Sequence, residues 1–357
     1  MNLKHDEKIK ILFLLKFIII GYLIILYYNN HNNQIKEFDF LQYYLNKIKT
    51  FKFVIENQKK NFQFNIKINL DYENINFAVI RRASCSTCGL FSNFIVYLGC
   101  IRKYLNEGFI PILEFVSYKN IINGFIVDPI KGNPWEYYFN QPFGYEYNNI
   151  IRKAKNITYF ECNPNIMRPN QNIFLNQTNM NYWHIFSKKY IPIKNEIINE
   201  SNNIIKTIFK DSKNVLGVLL RGTDYVAMKP RSHSIPPKVE DVIKDVKLLD
   251  NKNKYNYIFI ATEDNNIRDI FIKSIGIKVK YLLSKAKISY NYTAKKKLAF
   301  NINFKINSNF HKIYLLNIII LSKCLDLLAA KTSGTVGIFI LTEGFRYYKV
   351  YNLGLYK

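Results

Sequence analysis

Cysteine is scarce in this chain, with five in 357 residues: Cys85, Cys88, Cys100, Cys162 and Cys324. That is too few for a disulfide scaffold. Cys85 and Cys88 form a C-x-x-C, but no second pair and no histidine at ligand spacing completes a zinc site. The spacing reads as an ordinary buried pair beside a turn, with a redox dithiol or a disulfide as alternatives. Acidic residues are few as well: 26 Asp and Glu against 51 Lys and Arg give a formal net charge of +25. The basic residues are scattered, and Lys is abundant together with Asn, Ile, Tyr and Phe, all encoded by AT-rich codons. This pattern describes a diffusely basic surface and argues against a nucleic-acid partner. What the chain has in quantity is apolar and aromatic residues, 48% and 16%. Those fractions exclude wholesale disorder, and the length suffices for two domains of ordinary size.

One long apolar run stands out, residues 11–28, interrupted only by Lys16. Its 18 residues approach the length that crosses a hydrocarbon core of ~30 Å. Lys16 lies close enough to one end for its ammonium to reach the interface, and Tyr22, Tyr27 and Tyr28 suit the far headgroup region. Lys4, Lys8 and Lys10 precede the run, whereas the flank after it is Asn-rich. The positive-inside bias therefore predicts an uncleaved single-pass anchor with residues 1–10 in the cytosol. The remainder is expected on the lumenal side, of Golgi or ER type in a eukaryotic host. Sequons at Asn156, Asn176, Asn199 and Asn291 permit that location. Residues 29–75 read as a stem.

Beyond residue 75, strand-like and helix-like patterns alternate. Asn76–Arg82 reads as a strand, Ser84–Gly89 as a turn, the stretch to Asn106 as a helix and Phe109–Phe115 as the next strand, a βαβ unit. A second series follows. It has strands over Val215–Leu220, Tyr255–Ala261 and Ile277–Leu283, and helices over Val239–Leu249, Ile267–Ser274 and His311–Leu328. A looser middle, residues ~120–205, separates them. The expected architecture is α/β, with two Rossmann-like domains (76–205 and 206–357) facing each other across a cleft.

In open α/β sheets ligands bind at the carboxyl ends of the strands, which directs attention to three loops. Arg221-Gly222-Thr223-Asp224-Tyr225 follows the Val215–Leu220 strand. An arginine there offers a forked donor to a diphosphate, Gly222 allows close backbone approach, and Asp224 is placed to hold the guanidinium. A structural Arg–Asp pair closing the turn is the plainer alternative. Thr262-Glu263-Asp264 follows the next strand, where carboxylates accept from a ribose or base. Thr262 or Asp264 is equally suited to cap the next helix. Thr332-Ser333-Gly334-Thr335-Val336-Gly337 is a hydroxyl-rich loop between apolar segments, apt for phosphate oxygens or for a simple tight turn. His233, in His233-Ser234-Ile235-Pro236-Pro237, reads as a base, a donor contact or polar surface.

These loops, in this order, together with Cys88-Gly89-Leu90-Phe91-Ser92-Asn93 before the first helix, resemble the fucosyltransferase superfamily and its H-x-R-R-x-D-like loop. Asn133-Pro134-Trp135-Glu136-Tyr137-Tyr138-Phe139, then Gln141-Pro142-Phe143-Gly144, and the closing run Tyr348–Tyr356 are similar to its branch found with capsular-polysaccharide genes. The resemblance covers about residues 77–356. It implies a GT-B glycosyltransferase transferring a sugar, with inversion, from a nucleotide-sugar (GDP-fucose favoured) to a glycan or glycoconjugate. Arg221 would bind the β-phosphate, with Asp224 as its catalytic companion. Gly222, Thr223, His233, Thr262, Glu263, Asp264, Ser333, Gly334 and Thr335 would hold the donor, with Gly89 and Asn93 reaching it from the facing domain. Trp135 and Glu136 would lie on the acceptor side. No cofactor and no metal is implied, the arginine supplying the positive charge.

The chain departs from the pattern in two places. Leu219 and Leu220 stand where the superfamily loop often has His and a second Arg, and residues 226–231 hold no acid to serve as base. Glu136, Asp224 and His233 are the candidate bases. A membrane-tethered protein that binds a sugar nucleotide without catalysis is the alternative reading.

Overall fold

The structure is a computed structural model that describes residues 72–85, 88–120, 122, 132–222, 226, 229–282 and 309–357. The expected tail, the anchor at 11–28 and nearly all of the stem lie outside the described residues, as do Thr223, Asp224 and Asn291. Among the described residues no helix is long and apolar enough to cross a membrane. All of them belong to one compact unit, Leu70–Lys357.

The first sheet has three parallel strands in the order β2-β1-β3: β1 (Asn76–Arg81), β2 (Ile110–Leu113) and β3 (Asn156–Glu161). Helix α1 (Leu90–Asn106) connects β1 to β2 and buries twelve of its residues, which explains its apolarity nearly all round. The chain then passes through a 3-10 turn, Pro134–Tyr137, and α2 (Tyr147–Lys153) before reaching β3 on the other side of β1. Helices α3 (Gln177–Tyr190) and α4 (Asn195–Phe209) lead on.

The second sheet has five parallel strands in the order β6-β5-β4-β7-β8. They are β4 (Val215–Leu219), β5 (Tyr257–Ala261), β6 (Val279–Lys280), β7 (Asp326–Ala330) and β8 (Tyr347–Tyr351). Helices α5 (Val239–Asn253), α6 (Asn265–Ile275), α7 (Asn309–Leu321) and α8 (Ser333–Leu341) alternate with them. The chain winds outward from β4 to β6 and then crosses back to β7, so the order reverses between β4 and β7. This is a doubly wound order with its switch point between β4 and β7. Every residue of β4 and β7 is buried, because helices cover both faces.

One hydrophobic core runs from the first sheet through α1, α8 and α7 to the second sheet. Its centre is aromatic: Trp135 stacks on Phe139 with ring centroids 4.4 Å apart and on Phe115 at 5.4 Å. Fully burying each such side chain contributes roughly 1.5–3 kcal/mol. Gly337 of α8 lies on the ring of Phe91 in the first turn of α1, where an added Cβ would fall 2.2 Å from Phe91 Cδ1. Since α1 follows β1 and α8 follows β7, this crossing brings the carboxyl ends of the two sheets towards one another.

Several expectations need correction. The helix expected over His311–Leu328 ends at Leu321, and its last residues belong to β7. A strand buried on both faces is apolar at every position, so periodicity does not separate it from a buried helix. The strand expected over Ile277–Leu283 spans only Val279–Lys280. The described part of the looser middle contains β3, an edge strand with no fully buried residue and hence no clean alternation. The cysteines are not a simple buried pair. Cys85 is bonded to Cys88 and Cys100 to Cys162, which leaves Cys324 as a buried thiol that burial pushes well up.

Candidate functional site

The strand order reverses between β4 and β7, and the carboxyl ends at such a switch point are where doubly wound sheets bind ligands. Arg221 and Gly222 follow the end of β4 there. Arg221 Nε stands 3.8 Å from Glu263 Oε1, and the Gly222 amide donates to the same carboxylate oxygen at 3.1 Å. Glu263, just past the end of β5, thus accepts from the backbone of the β4 loop and supplies a counter-charge to its guanidinium. Gly222 has no room for a side chain, since a Cβ there would sit 2.6 Å from Asp264 Oδ2 and 2.7 Å from Ile267 Cδ1.

Asp264 is the N-cap of α6, accepting from Asn266 N at 2.9 Å and Ile267 N at 3.4 Å. Thr262 Oγ1 accepts from the Asp264 amide at 3.1 Å. Asp264 thus fills the capping role, which is compatible with a donor contact, Thr262 supports its amide, and Glu263 is the carboxylate that reaches the arginine loop.

Past the end of β7, Thr332 caps α8 and accepts from Thr335 N at 3.3 Å. Thr335 Oγ1 donates to the Ala330 carbonyl, tying the first turn of α8 to the end of β7. Both threonines are buried. The amides of Ser333 and Gly334 are first-turn donors without intrahelical acceptors, at the positive end of the helix dipole. Gly334 lets α7 approach, because an added Cβ would lie 2.4 Å from the Tyr314 hydroxyl. Arg221, Glu263 and the first turn of α8 thus all follow the carboxyl ends of the central strands β4, β5 and β7.

The remaining candidates are placed differently. Asn93 is buried and wholly engaged: Nδ2 donates to Cys88 O at 2.8 Å and Gly89 O at 3.3 Å, and Oδ1 accepts from Arg82 Nη1 at 3.1 Å. It locks the entry to α1. Gly89 is the N-cap of α1 in extended conformation, and a Cβ there would meet nothing within 4 Å. Trp135 is fully buried in the aromatic centre. Glu136 Oε1 accepts from Gln141 Nε2 at 2.9 Å and Tyr147 N at 2.8 Å; burial raises its carboxyl above the usual range despite these bonds. His233 is exposed, with Nδ1 3.0 Å from Arg231 O. Asp224 and Thr223 lie outside the described residues.

Two arginines were not singled out in the sequence. Arg82 follows β1 and is 7% exposed. Arg168 lies in the segment after β3, its Cβ 2.9 Å from the point where a Gly99 Cβ would stand. Arg82 directly follows a strand, whereas Arg168 lies well beyond the end of β3 and packs on the middle of α1.

No protein-family model matches the chain, and no curated protein sequence matches it. Among solved structures it is similar to POFUT1 in complex with GDP, at 9% identity, covering 78% of this chain and 99% of that one with a TM-score of 0.46. It is also similar to the fucosyltransferase NodZ from Bradyrhizobium, at 12% identity, covering 75% of this chain and 93% of that one with a TM-score of 0.41.

Proposed function

We propose that this chain is a fucosyltransferase-like glycosyltransferase of the GT-B kind. In this reading it moves a sugar, with inversion, from a nucleotide-sugar, GDP-fucose favoured, to a hydroxyl of a glycan or glycoconjugate. The observation that carries the reading is Arg221 at the β4–β7 switch point, beside Glu263, with α8 beginning just past the end of the neighbouring β7. In the reaction the bond from the sugar's anomeric carbon to the β-phosphate oxygen breaks and one to the acceptor oxygen forms. GDP leaves, and the acceptor proton passes to a base. Negative charge grows on the departing diphosphate as the sugar becomes oxocarbenium-like. A fixed guanidinium and two helix amides meet that charge without solvent rearrangement.

The favoured donor rests on the sequence resemblance. Anchoring through residues 11–28 and a lumenal catalytic part belong to the same proposal, and two disulfides suit an oxidising compartment. The test is donor binding and transfer by the full chain in detergent, with Arg221→Ala as control. The variant is expected to keep its circular dichroism spectrum while losing both. Arg221→Lys is expected to fail too, because an ammonium does not fork onto two phosphate oxygens.

A further inference from the structure

Past Tyr351, the last residue of β8, the chain turns back along the second sheet. Asn352 Oδ1 accepts from Lys331 Nζ at 3.3 Å, and Lys331 stands between the end of β7 and Thr332, the cap of α8. Gly354–Tyr356 then pairs antiparallel with the β4–α5 loop. Ser232 N donates to Tyr356 O at 2.9 Å, Ile235 N to Gly354 O at 3.0 Å and Tyr356 N to His233 O at 2.9 Å, with Ser234 opposite Leu355. In the sheet β7 lies between β8 and β4. A segment that leaves β8, bonds the β7–α8 loop and joins the β4–α5 loop therefore reaches from one side of the β4–β7 switch point to the other.

The pairing is fixed at two further places. Ser234 is 6% exposed, and its Oγ donates to Gln171 Oε1 at 3.3 Å, in the segment after β3 of the first sheet. Gly354 has a φ of +88°, yet a Cβ there would meet nothing within 4 Å. Backbone conformation, not space, calls for glycine at this position. A loop left unpaired must be ordered when a ligand arrives, and that lost entropy is subtracted from the affinity. A loop already paired with a neighbouring segment has been ordered on folding.

We infer that Asn352–Tyr356 is a positioning strap for the donor site. By pairing with the β4–α5 loop and bonding the β7–α8 loop, it holds the loop that Arg221 opens and the α8 terminus in register before a ligand arrives. The inference deepens the donor reading and rests on it. The strap itself is assigned no contact with the sugar nucleotide.

Gly354→Ala is the informative variant, because it strains the strap without a clash and leaves Arg221 and α8 untouched. GDP is titrated calorimetrically into the full chain, wild type and variant, and their denaturant midpoints are compared. Expected is a loss of about tenfold in GDP affinity in a variant that still unfolds cooperatively. A merely structural strap would lower the midpoint and leave the affinity alone. Coupling is reciprocal, so bound GDP is also expected to slow hydrogen exchange in the wild type at the amides of Ser232, Ile235 and Tyr356, which bridge strap and loop. That measurement needs no substitution and decides the matter even where Gly354→Ala fails to fold. Unchanged GDP affinity in the variant, or equal exchange at those amides with and without GDP, overturns the inference and leaves the donor reading standing. Absence of GDP binding by the wild type overturns the donor reading, and the role of the strap with it.

Discussion

Gly222 shows how much a single residue fixes here. It must be glycine because Asp264 and Ile267 occupy the space a Cβ would need, and its amide is one of the two groups Glu263 holds. Gly222→Ala is expected to push the β4 loop away from α6. Donor affinity should fall about tenfold and stability by about 1–3 kcal/mol, read by calorimetry and denaturant unfolding. Unaltered affinity would separate the loop from donor binding. At this scale the sequence was informative wherever a motif is local. Arg221 could be found because it ends an apolar strand, and Asp264 because it begins a helix. Arg82 was not found, since its bonds to Ser92 and Asn93 depend on how α1 returns against the end of β1. Asn93 was found, and the hydrogen bonds by which it locks the entry to α1 are contacts that spacing does not reveal.

Among the elements, α8 is the one packed against helices of both sheets. Past its first turn it is apolar because it lies between α1, α3 and α7, and its N-terminus follows the carboxyl end of β7. Thr332 holds that terminus. Thr332→Ala removes the cap and is expected to cost about 1 kcal/mol of stability together with several-fold in donor affinity. Thr332→Ser is expected to restore most of both, and a serine variant no better than alanine would contradict the capping argument. The βαβ units on either side were legible, because amphipathic helices and short apolar strands differ in period and length. β7 was not, for its residues run on from α7 in one apolar series that only the Ser322–Leu325 turn interrupts. Neither was β3, an edge strand without clean alternation.

For the whole molecule, tyrosine burial sets an alkaline limit. Burial pushes the Tyr118 hydroxyl up to about 12, and burial together with Asp326 does the same for Tyr255. Each folded pKa lies above the ordinary value of about 10. The folded state therefore favours the protonated form, and its stability is full below pH ~10 and lost as pH rises towards 12. Denaturant midpoints across pH 8 to 12 should show that decline, and a flat profile would show that these hydroxyls ionise freely. The two-sheet α/β plan was readable from the alternation of elements, whereas the crossing of α1 and α8 was not. That contact depends on Gly337 meeting Phe91, a match of shape between residues far apart in the chain.

The central claim is that Arg221 and the α8 terminus hold the diphosphate of a sugar nucleotide. It is tested most directly by the binding of GDP-fucose and a panel of other nucleotide sugars to the wild-type chain and to Arg221→Ala. The account predicts stabilisation by GDP-fucose and GDP that disappears in the variant. Stabilisation by a UDP or CMP sugar in their place would keep the site and change the donor. Full binding by Arg221→Ala, or no response to any donor, would contradict the account.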